Sequence, residues 1–432
     1  MNNDILIING KNPLLGEIEV QTSKNSTLPI MSASILANGK TILHKLPNIT
    51  DVLNMKKLLQ HIGTKITTSG SNLEIDTSEI ENNIFDENLS KTMRSSIFLL
   101  GSMLAKFKQV SIVSPGGCKI GKRPIDIHLS AFKKLGVDIS WVGNRIFFNA
   151  ENARPGKIKL RIPSVGATEN IMLFACTLKG ETTIINPAKE PEVVDLANFL
   201  NSMGAKIIGS GTNRITIYGV DSLKCVEYTP ISDRIVAGTI MCAVAGLGGK
   251  VTLKNARCEH NEKLIKILSS IGCQIKSKND IITISKDGQT DFEQKTNSKL
   301  KITTGFYPKF PTDLQSIILS LLTACCKKAT LKETVFENRF LTVKELTKMG
   351  AMITKDKNTL TILGTNLCGA HVQCKDLRGG AGLVVAGLLA EGETIIDDIY
   401  HIDRGYDHIE NMFAKLGAKI KRCPKEKSSH GQ

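Results

Sequence analysis

The 432-residue chain has no run of about 18 uninterrupted apolar residues, the length a membrane-crossing helix needs. Its best candidate, "IVAGTIMCAVAGLGG" (235–249), is too short and too rich in glycine and alanine. The opening "MNNDILIINGKN" lacks the basic start and long apolar stretch of a secretion signal, which points to the cytoplasm. Cys-x-x-Cys never occurs among eleven scattered cysteines, so neither a zinc ribbon nor a disulfide framework is indicated. Cys176, Cys242, Cys325 and Cys326 sit in apolar stretches and read as small core residues. The eight histidines form no metal-ligand cluster. Aromatics are only 5% and do not interleave with the cations, which argues against stacking on single-stranded nucleic acid.

What is present is a cation excess. Lys and Arg number 56 against 41 acidic residues, a net charge of +15. Such an excess favours anionic partners: nucleic acid, a membrane surface or small phosphorylated substrates. Apolar and charged contents of 41% and 22% describe an ordinary globular protein. At this length two domains are expected.

The stretch "SPGGCKIGKRPIDIH" (114–128) nearly matches a nucleotide P-loop, with Gly116, Gly121 and Lys122 in step. Arg123 then stands where Ser or Thr would hold Mg²⁺, and Pro124 disfavours the helical conformation for Arg123. The stretch is therefore a glycine-rich, anion-seeking loop carrying a thiol, and not a P-loop.

Organisation emerges from self-similarity. "LLQHIGTKI", "FKKLGVDI", "LNSMGAKI", "LSSIGCQI", "LTKMGAMI" and "FAKLGAKI" repeat one phrase, with glycines at 63, 136, 204, 272, 350 and 417. A glycine at that place suits a left-handed helix cap. Between them recur glycine or lysine turns followed by a strand, such as "KGETTIINP" and "EGETIIDDI", each preceded by an apolar helix. Each unit reads as helix, strand, loop, helix, strand, strand, so six units suggest two domains of three units each, in an α/β or α+β fold. The first helices open on Lys24-Asn25, Arg94, Thr168-Glu169, Arg234, Thr312-Asp313 and Arg378. Helix amino ends favour anions, so equivalent ends facing one another would converge on one cleft.

"SKNSTLP", "KTMRSSI", "PGGCKIGKRPIDIH", "SVGAT", "EPEVVD", "FPTDLQ", "FENRF", "DLRGG" and "IYHIDRGY" follow one another across residues 8 to 420. In this order they resemble the enolpyruvyl transferases, in particular the branch that acts on UDP-N-acetylglucosamine. The resemblance implies transfer of the enolpyruvyl group of phosphoenolpyruvate to the 3′-hydroxyl of UDP-N-acetylglucosamine with release of phosphate. It also implies the first committed step of peptidoglycan precursor synthesis, no metal or organic cofactor, and a monomer that binds neither nucleic acid nor membrane. The implied fold is two inside-out α/β-barrel domains of three βαβαββ-like units each, joined by a double crossover. One domain would comprise 1–22 plus 232–432 and carry Asp313, Arg339, Arg378 and Arg404. The other would comprise 23–231 and carry the 114–124 cysteine lid with most of the nucleotide-sugar site. "LIINGKNPLLGEIEV" (6–20) echoes "LTILGTNLCGAHVQC" (360–374), in keeping with a chain start that joins the second half.

The donor bears a phosphate and a carboxylate, which planar guanidinium forks bind bidentately. By resemblance Lys24, Arg123 and Arg404 contact the donor, with Arg94, Arg339 and Arg378 around them. Addition across the enol ether then needs a general acid near the methylene carbon and a base near the hydroxyl. Cys118 matches the family's acid, which also forms a covalent adduct with the donor and is the target of fosfomycin-type epoxides. Lys119, Lys122 and Arg123 beside it would lower its pKa. Asp313 matches the base or orienting residue, and Asp51 a cleft aspartate; each could instead cap its helix. Asn25 matches a sugar contact, and Arg123, Pro124, Asp126 and His128 surround the uridine in the family. Ser164, Val165 and Gly166 match a diphosphate turn, and Val335 an apolar contact; His128 could equally be a packed loop histidine.

Three departures stand out. "RIPSVGAT" has Ile162 and Pro163 in place of a common lysine, with Arg161 as a substitute cation. "TSKNSTLP" adds hydroxyls, and "DLRGGAGL" carries extra glycine that should loosen its helix start. The rival readings are a shikimate 3-phosphate enolpyruvyl transferase, which normally lacks the cysteine lid, and a catalytically silent regulatory paralogue, which the presence of Cys118, Arg123 and Asp313 disfavours. A basic nucleic-acid-binding protein would need a recognisable module, and none is visible.

Overall fold

The computed structural model of the chain describes residues 4–80, 97–113, 125–288 and 300–425. These residues form two compact units. The terminal unit holds the chain start through Val20 and the chain from Ser232 onward; the middle unit runs from Gln21 to Ile231. Gln21 and Thr22, expected with the terminal unit, fall in the middle unit, where the Thr22 hydroxyl donates to the Lys45 carbonyl at 2.6 Å.

One plan recurs through both. In the middle unit the inner helix Lys24–Ala33 leads into strand Lys40–Leu43, then outer helix Thr50–His61, then hairpin Lys65–Ser69/Asn72–Asp76. The hairpin's second strand pairs antiparallel with Lys40–Leu43, and Glu227–Tyr228 adds a parallel strand beyond it. In the terminal unit, Gly249–Lys254, Gln274–Lys278 and Ile281–Lys286 repeat that order, with Leu14–Glu19 as the parallel addition. The outer helix of each copy ends on its repeat glycine, and Gly63, Gly136, Gly204, Gly272, Gly350 and Gly417 have φ of 102°, 81°, 103°, 93°, 89° and 94°. A side chain is strained at such angles, which is why the phrase is legible in the sequence.

The sixth copy is split by the chain ends. Asp4–Asn9 pairs antiparallel with both Glu393–Asp397 and Lys419–Pro424, in the place a hairpin strand takes elsewhere. The neighbouring strand Leu14–Glu19 then joins the next sheet, as His371–Gln373 does after Thr359–Leu363. The echo between 6–20 and 360–374 is thus one structural role used twice.

The inner helices form the core of each unit, and the sheets of three or four strands lie around them without closing into a barrel among the described residues. Every residue of Arg234–Leu247 and of Leu377–Leu389 is buried, as is nearly all of Gln315–Cys325, and these three helices pack on one another. A helix apolar on all faces belongs in a core when it is too short for a bilayer; no helix among the described residues is long and apolar enough to cross a membrane. Glycine permits the close approach. A Cβ at Gly382 would lie 2.7 Å from the Ser316 carbonyl oxygen, and one at Gly379 2.7 Å from Thr342 Oγ1. The extra glycine of "DLRGGAGL" therefore serves packing and does not loosen the helix start, whose first amides are held by Asp376. Cys176, Cys242, Cys325 and Cys326 are buried as the apolar context indicates, and burial pushes the Cys176 thiol up to about 12.

Candidate active site

In the terminal unit the amino ends of the three inner helices carry Arg234, Asp313 and Arg378. Asp233 caps the first helix, accepting from the amides of Ile235 and Val236. Asp376 caps the third, accepting from the amides of Arg378 and Gly379, so both arginines stand on fixed backbone. Asp313 lies in the 3₁₀ turn Thr312–Leu314. Its Oδ1 accepts from Arg339 Nη2 at 2.6 Å, and its Oδ2 lies 3.5 Å from Arg378 Nη2. Its carboxylate thus pairs with two guanidiniums brought from elsewhere in the chain.

Glu333 joins the two loops that meet here. One oxygen accepts from the amides of Val335 and Phe336 at 2.7 and 3.1 Å, and the other accepts from Thr312 Oγ1 at 2.9 Å. "FENRF" is thus held against "FPTDLQ", which brings Arg339 to Asp313 and leaves Val335 half-buried. Arg339 and Arg378 are almost fully buried, over the rings of Phe336 and Tyr406. Arg339 Nε and Arg378 Nη1 are buried with no hydrogen-bond partner. Burial alone would raise the Asp313 carboxyl, but Arg378, Arg339 and, more weakly, Arg234 outweigh it and hold it well below the usual carboxylate range. Two buried guanidinium N–H groups without acceptors, beside a carboxylate, have the chemistry to receive an anion.

Arg404 ends the 3₁₀ segment Ile399–Arg404, two residues before Tyr406. The buried Tyr406 hydroxyl lies 2.8 Å from Thr239 Oγ1 on the first inner helix. His260, near Arg234, is pushed down to about 4, first by burial and then by the two neighbouring arginines, and so is neutral at physiological pH.

In the middle unit Lys24 opens an inner helix and its Nζ lies 2.7 Å from Asp51 Oδ2, the lysine 13% and the aspartate 2% exposed. The buried Asp51 carboxylate thus pairs with Lys24. Asn25 is half-buried beside it. Ser164 caps the helix Val165–Ala175, accepting from the Ala167 amide at 3.4 Å, so Val165 and Gly166 form that helix's first turn. Arg161 Nη2 donates to Asp126 Oδ2 at 2.6 Å in an exposed pair, which commits the substitute cation to Asp126. His128 is buried, 3.2 Å from the Asn170 amide nitrogen, and that nitrogen also donates to the Gly166 carbonyl at 3.2 Å.

Sequence reasoning set Thr168-Glu169 at a helix opening; the helix begins at Val165, and Glu169 is fully buried with neither oxygen hydrogen-bonded. Burial, then Glu192 and Glu190, push its carboxyl well up. Arg234, Asp233, Glu333 and Tyr406 were not named as site residues. For Arg234 the repeat position it shares with Lys24 and Arg378 was the available signal, and for Tyr406 its place at the end of "IYHIDRGY"; Glu333 gave none, since its partner Thr312 lies far away in sequence. Arg94, Cys118, Arg123 and Pro124 lie outside the described residues, as do Lys119 and Lys122. Among the described residues no His/Cys/Asp/Glu group is arranged to hold a metal ion.

The sequence profile of the family described as EPSP synthase (3-phosphoshikimate 1-carboxyvinyltransferase) matches residues 8–413. UDP-N-acetylglucosamine 1-carboxyvinyltransferase 2 of Caldanaerobacter subterraneus subsp. tengcongensis is 47% identical over 416 residues, covering 96% of this chain and 98% of its own. UDP-N-acetylglucosamine 1-carboxyvinyltransferase of Finegoldia magna is 44% identical over 414 residues, covering 95% and 96%. The crystal structure of the enolpyruvyl transferase NikO from Streptomyces tendae shares the fold with a TM-score of 0.87 at 22% identity, covering 98% of this chain and 100% of that one. EPSP synthase from Acinetobacter baumannii, at 17% identity and a TM-score of 0.74, covers 98% and 100%. With its repeat plan, helix-end cations and near full-length matches together, the chain belongs to the enolpyruvyl transferase family.

Proposed function

We propose that the chain is an enzyme that transfers the enolpyruvyl group of phosphoenolpyruvate to the 3′-hydroxyl of UDP-N-acetylglucosamine, releasing phosphate. The observation that carries this reading is the Asp313 cluster, an ionised carboxylate flanked by two buried arginines that each keep an unpartnered N–H. Those donors suit the carboxylate or phosphate of the donor, and Asp313 suits the acceptor hydroxyl. The relatives' names support the nucleotide sugar over shikimate 3-phosphate as acceptor.

In this reading protonation of the donor's methylene by Cys118 creates an oxocarbenium-like centre. The acceptor oxygen attacks it while its proton passes toward Asp313, giving a tetrahedral adduct; the methyl group then returns a proton to the Cys118 thiolate, the double bond re-forms and the C–O bond to phosphate breaks, releasing phosphate. Asp313 is a poor base while the arginines hold its acidity so high. An anionic donor on Arg339 and Arg378 offsets their field, so Asp313 gains basicity only when the donor is bound. Lys24, Arg123 and Arg404 contact the donor, with Arg94 nearby. Asn25, Asp126, His128, Ser164, Val165, Gly166 and Val335 contact the nucleotide sugar, and Asp51 holds Lys24. The reaction needs no cofactor. A cytoplasmic monomer serving peptidoglycan synthesis, and through it cell shape and division, completes the proposal.

The test is phosphate release from phosphoenolpyruvate with UDP-N-acetylglucosamine and with shikimate 3-phosphate in parallel. Release with the nucleotide sugar alone is expected; release with shikimate 3-phosphate would overturn the acceptor, and silence with both would favour the non-catalytic paralogue. A fosfomycin-type epoxide should abolish activity and add its mass at Cys118. Persistent activity in excess epoxide without that adduct sinks the cysteine's role.

A further inference from the structure

Arg422 lies on strand Lys419–Pro424, close to the chain's end, and belongs to none of the groups assigned above. Its guanidinium grips two carboxylates at once. Nη2 and Nη1 donate to the two oxygens of Asp403 at 2.6 and 3.0 Å, and Nε and Nη2 donate to the two oxygens of Glu410 at 2.9 and 3.2 Å. Asp4, on the paired strand at the chain start, lies 3.7 Å from Nη1. The group is only 21% exposed, and Glu410 only 7%. Two bidentate forks on one partly buried guanidinium fix geometry more firmly than an ordinary surface pair does.

The segment so fixed is the one that carries Arg404. Asp403 precedes it and is tied outward to Arg422. Tyr406 follows it and is tied inward, its hydroxyl against Thr239 and its ring 5.8 Å from the Arg378 guanidinium carbon. Between them Gly405 packs so tightly on Leu377 that a Cβ would lie 2.8 Å from Leu377 Cδ2. Arg404 is thus held on a four-residue bridge with one anchor on the outer strand and one at the Asp313 cluster.

We propose that Arg422 is a positioning residue for Arg404, acting through Asp403 to fix the place of the donor's anion contact. The inference rests on the reading of Arg404 as a donor-binding residue. Loss of the outer anchor should loosen donor binding and leave acceptor binding alone. A misplacement of about 1 Å costs on the order of a hundredfold in such sites, so partial loosening is expected to raise the KM for phosphoenolpyruvate roughly tenfold.

The experiment is steady-state kinetics on Arg422→Gln, Arg422→Lys, Asp403→Asn and Arg404→Ala, with each substrate varied in turn. Asp403→Asn keeps the Arg422–Glu410 fork, so it remains informative if the Arg422 variants fail to fold, which a thermal melt reports. Arg422→Gln and Asp403→Asn should raise the KM for phosphoenolpyruvate and move that for UDP-N-acetylglucosamine less than about twofold. Arg422→Lys should not rescue, since an ammonium cannot form two forks. A folded Asp403→Asn with both constants unchanged, beside an Arg404→Ala with a raised donor KM, overturns the inference alone. An equal rise in both constants reduces Arg422 to a structural role and also overturns it. Unchanged donor KM in Arg404→Ala overturns the donor-site reading, and this inference falls with it.

Discussion

Asp313 in the terminal unit and Glu169 in the middle unit are carboxyls near the first turns of inner helices, yet their surroundings drive them to opposite charge states. Asp313 meets Arg339 and Arg378, with Arg234 nearby, and is held ionised. Glu169 meets only burial and two more carboxyls, Glu192 and Glu190, and is held protonated. Asp313 lies at a helix amino end, where the dipole favours the charged form of an acid by about 0.3–1 kcal/mol, whereas Glu169 sits one turn into its helix. Desolvation prevails at Glu169, and paired guanidiniums reverse it at Asp313. The repeat supplies equivalent positions; the partners brought from other repeats decide the chemistry.

The largest effect is expected at Asp313. Asp313→Asn should lower turnover by about a hundredfold to ten-thousandfold if the carboxylate takes the acceptor's proton, read from phosphate release at saturating substrates. Glu169→Gln should change turnover little, and the reverse pattern would mean that the chemistry has been assigned to the wrong carboxyl. Of intermediate size is Arg339→Met, which removes a charged hydrogen bond and should cost about 2 kcal/mol in urea unfolding at pH 7. The Asp313 contribution is complete above the unfolded pKa, near 3.8, and is lost as pH falls toward the depressed folded value. The gap between wild type and Arg339→Met should therefore narrow in strong acid; a constant gap would mean that Arg339 stabilises by packing alone.

Smallest is Glu169→Gln on stability, within about 1 kcal/mol at pH 7, because the amide replaces a carboxyl that is already neutral. Its pH signature has the opposite sign. Glu169 binds its proton more tightly when folded, so its contribution is complete below the unfolded pKa near 4.5 and is lost as pH rises from there toward the raised folded value. Unfolding curves between pH 5 and 8 should decline less steeply for the variant. Identical slopes would show Glu169 ionised in the folded chain with a counter-cation nearby.

Much of the architecture was open to reading because a physical requirement forced a residue type. Positive φ at the end of each outer helix calls for glycine, and six glycines marked six copies. Helices buried on all sides are apolar throughout, so "IVAGTIMCAVAGLGG" could be set aside as a membrane span and found in the core. The site was less legible. Lys24, Asp313 and Arg378 stood out because they open helices, and Arg404 because its motif is specific. The same reasoning set Thr168-Glu169 beside them, although Glu169 is a buried group one turn further on. The substitute cation Arg161 could be named from sequence, but not its commitment to Asp126.

The repeat, the echo between 6–20 and 360–374 and the residue types at the helix ends were legible along the chain, because periodicity and backbone conformation act over short spans; the splitting of the sixth copy came from the family resemblance. Which of those groups are charged, and what they hold, depends on the folded arrangement. Asp313 meets Arg339 across 26 residues and Arg378 across 65, while Arg422 reaches Asp403 across a strand and a helix. Coulomb interaction and desolvation depend on distances through space and on burial, and neither is written in the spacing along the chain.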